Sequence, residues 1–113
     1  MNQLIKSWRE CTLDQGPFVL KNDAVNSEEH FSYNSYESFV ASDNFGAGST
    51  KFHLGLIPQP YIGDLASASI FPLFINPGFS AGDYYAQQYC DRFKTARIRN
   101  LRQINEDDYP FFY

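Results

Sequence analysis

The chain has 113 residues, of which 43% are hydrophobic and 19% charged, a balance that excludes disorder over most of its length and suits one domain with a modest core. Its net charge of −4 argues against general nucleic-acid affinity. The apolar content is aromatic in kind, with eleven Phe and eight Tyr against one Met and one Trp, a composition that serves a core and a binding face equally well.

Residues 2–11 place Leu4, Ile5, Trp8 and Cys11 on one stripe, which predicts a short amphipathic helix. Lys6 and Arg9 stand where a secretory signal would be apolar, so no export signal is read here. Asp14-Gln15-Gly16-Pro17 predicts a turn, and Phe18–Lys21 a short strand. Within residues 22–50, Ser27 followed by Glu28 and Glu29 has the form of a helix N-cap. Tyr36, Phe39 and Val40 form the expected buried face of a helix ending near Asp43, followed by a loop over residues 44–49.

Phe52, Leu54 and Leu56 alternate with His53 and Gly55, predicting a half-buried strand over residues 51–57 with His53 on its wet face. Pro58-Gln59-Pro60 ends that strand, and Tyr61–Asp64 turns the chain. The apolar run within Ser69–Ile75 is expected as a strand buried on both faces. Its core, Ile70–Ile75, includes Pro72 and is far short of the roughly 20 residues a membrane span needs.

Asn76-Pro77-Gly78 stops this run, and Ser80 with Asp83 has the spacing of a capping box. A long helix over about 81–104 is expected, with a possible break near Thr95. Its buried stripe is read as residues 85, 86, 89, 90, 93, 96, 101 and 104. The chain closes on Tyr109-Pro110-Phe111-Phe112-Tyr113, an aromatic end that must be buried or meet a partner, and self-association through Tyr109–Tyr113 is one expectation. The resulting fold class is α+β: about three short strands and a long C-terminal helix packed on them, one domain over residues 1–113.

The turn at 76–82 supports several readings. Gly78-Phe79-Ser80-Ala81-Gly82 fits the strand–turn–helix pattern that exposes a nucleophilic serine. The only histidines, His30 and His53, precede it, whereas hydrolases of that kind place the base after the serine. Backbone N–H groups at a helix start favour an anion or a polarised carbonyl, which makes Asn76, Gly78, Ser80 and the preceding Tyr61 candidate ligand-binding residues. The same residues also describe an ordinary turn with a helix cap and no chemistry.

Charge is uneven. Residues 1–91 hold 4 basic and 10 acidic side chains, and residues 92–113 hold 5 and 3. Arg92, Arg99 and Arg102 fall opposite the aromatic stripe, with Lys94 to one side, as a phosphate-contacting helix or a solvated helix back would have them. Cys11, His30, His53 and Cys90 lack metal-ligand spacing, so neither metal nor cofactor is expected. Two cysteines without an export signal point to reduced thiols and a cytoplasmic location, with no membrane partner.

Phe74-Ile75-Asn76-Pro77-Gly78-Phe79-Ser80 resembles the first motif of the mismatch-specific branch of the uracil-DNA glycosylase superfamily, Gly-Ile-Asn-Pro-Gly-x-Ser. That resemblance implies a pocket for a flipped base, with Asn76 as the catalytic candidate that positions a water and a nucleic acid as partner. Phe74 stands where that family has glycine, and no second-half motif follows. Pro58-Gln59-Pro60-Tyr61-Ile62-Gly63, the apolar run and Asn76-Pro77-Gly78 together resemble a group of uncharacterised bacterial proteins. That second resemblance implies no activity, and implies that the chain is the N-terminal portion of a longer domain. The leading expectation is therefore a non-catalytic interaction or remnant domain. The alternative is a glycosylase-like nucleobase pocket.

Overall fold

A computed structural model describes residues 2–23, 30–48, 51–73 and 80–104. Helix α1 (Asn2–Glu10) is followed by strand β1 (His30–Phe31), helix α2 (Tyr36–Val40), strand β2 (Phe52–His53) and helices α3 (Ala81–Tyr89) and α4 (Asp91–Arg102). The architecture is mixed, with helix far exceeding strand. Among the described residues the sheet is one parallel pair, His30 opposite Phe52 and Phe31 opposite His53. Among the described residues neither Phe18–Lys21 nor residues 69–73 form a strand, and the sheet there has two strands where about three were expected.

Helix α1 forms as its stripe predicts and buries Trp8, while Leu4 stays partly exposed. Helix α2 starts at Ser35, whose Oγ accepts the Ser38 N–H at 3.0 Å, and it buries Phe39. The Ser27 cap lies outside the described residues.

The long C-terminal helix is two helices. At Cys90 the backbone turns extended (φ −119°, ψ 96°), five residues before the break expected near Thr95. Packing gives the reason. Tyr84 is buried with Phe39 and Leu56, whereas Leu101 is buried with Trp8, Leu13, Phe18 and Ile57. On a straight helix at about 100° per residue, positions 84 and 101 point roughly 100° apart. The bend at Cys90 therefore lets one helical stretch serve two clusters. The predicted stripe fails on α3, where Tyr85 and Tyr89 are each 54% exposed and Tyr84 is the buried ring.

Residues 55–57 divide the two clusters. The chain turns here, the Leu56 N–H donating to the His53 carbonyl at 3.3 Å, and Leu56 enters the Phe39–Tyr84 cluster while Ile57 enters the Trp8–Leu101 cluster. Gly55 is buried against Tyr33, where a Cβ would overlap the Tyr33 backbone carbonyl. Phe52 is exposed and His53 half-buried, so the strand's inward face has the opposite phase from the predicted one at these two positions.

Candidate functional site

Asn76 and Gly78, with Pro77, lie outside the described residues, as does the Tyr109–Tyr113 end. Ser80 is exposed and caps α3: its N–H donates to Asp83 Oδ2 at 2.9 Å. Asp83 Oδ1 in turn meets Arg97 Nη2 at 3.4 Å in a largely buried pair. Arg97 also donates to Gln59 Oε1 at 3.0 Å and lies 4.6 Å from the Phe93 ring centre. These contacts tie the start of α3 to the middle of α4.

Tyr61 packs against the Trp8 cluster, and its hydroxyl donates to the Leu101 carbonyl. Burial pushes its phenol up. Among the basic candidates, Arg92 is exposed and Arg99 half-buried, while Arg102 Nη2 donates to the Cys11 carbonyl at 2.9 Å. Arg9 closes the far end of α4 by donating to the Arg102 and Gln103 carbonyls at 2.7 and 3.0 Å, carbonyls that a helix end leaves without an internal partner. The predicted cationic face is thus divided, with Arg92 toward solvent and Arg102 holding α1's exit.

Sequence reasoning missed three amides. Gln87 Oε1 accepts the Ile57 N–H at 2.8 Å, and its Nε2 donates to the Gly55 carbonyl at 3.0 Å. Asn100 treats Gly63 and Tyr61 the same way, at 3.0 and 2.7 Å. Gln103 does so for Leu65 and Gly63, at 2.9 and 2.8 Å. Each amide accepts from residue n+2 and donates to residue n, as a neighbouring strand would. Helices α3 and α4 therefore hold the 55–65 segment by side chains where a sheet would use backbone. Amides on the inward side of an otherwise charged helix were the available signal.

Beyond this clamped segment the chain emerges. Asp64 Oδ1 accepts the Ala66 and Ser67 N–H groups at 2.9 and 3.2 Å, making a turn. Ile70, Phe71 and Leu73 are then 81%, 50% and 94% exposed, and Ile62 nearby in sequence is 66% exposed. The run predicted as a doubly buried strand is, over residues 69–73, open to solvent. The misreading has a physical cause. A short apolar run looks the same whether it is covered by its own fold or left uncovered.

His53, expected to be wet, is set among rings. Its Nδ1 lies 2.9 Å from the Tyr84 hydroxyl, and the Phe31, Phe39 and Tyr84 ring centres lie 5.3, 5.5 and 5.7 Å away. Burial holds its imidazole below the ordinary value, and burial, aided by Tyr33, pushes the Tyr84 phenol up.

A polar cleft of about 250 Å³ opens where the 14–16 turn and the start of α2 face the α3–α4 bend. Among the described residues no group of three or more His, Cys, Asp or Glu side chains could hold a metal ion. Nor, among those residues, is any helix long and apolar enough to cross a membrane. No family model, curated protein or solved structure matches this chain.

Proposed function

We propose that the chain is an interaction domain that self-associates through the apolar run Ile70–Leu73, with Ile62 beside it in sequence. The supporting observation is the exposure of that run. Three large apolar side chains within four residues stand at least half open to water, where isolated exposed apolar residues would call for no explanation. Proline at 72 removes a backbone donor and holds Phe71 extended, so the run is read through its side chains rather than through a complete strand ladder. Residues 65–82 contain no Asp, Glu, Lys, Arg or His. Two copies can therefore bring these stretches together without apposing like charges, despite the net charge of −4. The aromatic end Tyr109–Tyr113 is the second surface proposed for association, and the cytoplasm the proposed location.

Sedimentation velocity over a wide concentration range tests this. Wild type is expected to associate, and the Ile70→Ser/Leu73→Ser pair to remain monomeric with an unchanged circular dichroism spectrum. A deletion of residues 109–113 separates the two surfaces. A wild type that stays monomeric throughout would rule self-association out. The alternative reading, a nucleobase pocket centred on Asn76-Pro77-Gly78, predicts instead that Asn76→Ala folds normally and loses binding to uracil-containing or abasic DNA. Self-association is preferred because the 65–82 stretch offers no cation to a phosphate backbone.

A further inference from the structure

The α3–α4 bend places charges of both signs around one small cleft. Asp91 opens α4, and Lys94 follows one turn later. Asp14 stands across from them on the 14–16 turn, with Asn34 at the entry to α2, and all four line the 250 Å³ cleft. Phe18 and Tyr84, both buried, also line it. Among the described residues, the ion pairs are Lys6 with Glu10 and Asp83 with Arg97, so neither carboxylate of the cleft closes on the ammonium. Of the other amides at the cleft, Gln87 holds Gly55 and Ile57 and Gln88 holds the Tyr36 N–H and Glu37, while Gln15 also lines it.

The volume is below the roughly 300–1,000 Å³ of pockets for drug-sized ligands. A suitable occupant is therefore small. An occupant that presents a cation to Asp14 and Asp91 and an anion to Lys94 would match both signs of charge in the set. We propose that this cleft binds a free α-amino acid with a small side chain. Its ammonium lies between the two carboxylates, its carboxylate meets Lys94, and the Asn34 amide completes the polar contacts.

The test titrates the full-length 15N-labelled chain with L-alanine, N-acetyl-L-alanine and L-alaninamide, following the amides of Gly16 and Gly55 at the cleft wall. L-alanine is expected to give saturable shifts with a Kd on the order of millimolar or tighter. Each blocked analogue is expected to bind at least about tenfold more weakly, which is roughly 1.4 kcal/mol. Lys94→Gln and Asp14→Asn, both at the cleft margin, are expected to weaken L-alanine similarly while leaving the remainder of the spectrum in place. Shifts at Gly16 and Gly55 that never saturate overturn the proposal. So does equal binding of the three ligands, and so does a Lys94→Gln chain that binds L-alanine as wild type does. None of these results bears on association through residues 70–73.

Discussion

Protonating His53 would place a cation among the rings of Phe31, Phe39 and Tyr84, with the Tyr84 hydroxyl at its Nδ1 and Lys51 over the Phe31 ring at 5.2 Å. The folded imidazole accordingly titrates below its ordinary value, near 6.5. On acidification the unfolded chain takes up this proton first. Stability is therefore full above about pH 6.5 and declines from there toward the folded value. Urea midpoints measured at about pH 7.5 and 5.5 are expected to fall for wild type and to change less for His53→Gln. A slope that persists undiminished in the variant would put the titration elsewhere. The lowered carboxyls of Glu37 and Asp64, held by hydrogen bonds from Tyr89 and Ser67, act in a separate window that opens at the ordinary carboxylate values and runs down through their folded ones. Gly55 makes a steric demand at the same scale. Gly55→Ala would drive a Cβ into the Tyr33 carbonyl, and the backbone on either side cannot yield without disturbing both clusters. A loss of about 3 kcal/mol in urea unfolding is expected. Nothing in the sequence marked this glycine. Alternation assigned it a place on a wet strand face, because period two carries no information about a backbone crossing close by.

Among the elements, α1 was legible through its stripe and α2 through its buried Phe39, whereas the Ser35 cap that starts α2 was not read from the sequence. The α3–α4 break was not legible at its true place. Its cause is tertiary: two clusters require two facing directions, and no residue near Cys90 is a strong helix breaker. The amide clamps left only one signal, amides on the inward side of a charged helix, and Gln and Asn there ordinarily read as solvated positions. The fully buried Asn100 tests the clamp directly. Asn100→Ala leaves the Gly63 N–H and the Tyr61 carbonyl without this partner, and a buried unsatisfied group costs roughly 1–3 kcal/mol. Asn100→Asp still accepts from Gly63 but turns a carboxylate oxygen against the Tyr61 carbonyl, so it should be no better tolerated at neutral pH. Hydrogen exchange provides the local readout. The amides of Ile57, Gly63 and Leu65 should be protected in wild type, and Gly63 should lose protection first in Asn100→Ala, which removes its acceptor. Equal exchange at Gly63 in all three chains would deny the clamp a structural role.

At the scale of the whole molecule, the exposed run 70–73 lies between two halves that hold each other through other contacts. Before it come α1, the sheet and the clamped segment; after it come α3 and α4. Leu101 is buried with Trp8 and Ile57, Tyr84 with Phe39 and Leu56. Gln87, Asn100 and Gln103 reach back to Gly55, Tyr61 and Gly63, and Arg9 caps α4 from α1. None of these contacts uses residues 69–73. Cutting the chain there should therefore remove a connection without removing a core contact, and the exposed backbone offers a protease access. Brief thermolysin treatment is expected to cut first at the Ser69–Ile70 bond, on the amino side of an exposed aliphatic residue. The two fragments should then elute together from a sizing column and separate only in denaturant. If they part under native conditions, the contacts between the halves are too weak to define one unit. If the first cut falls inside 55–65 instead, the segment the amides hold is less secure than the run they leave free.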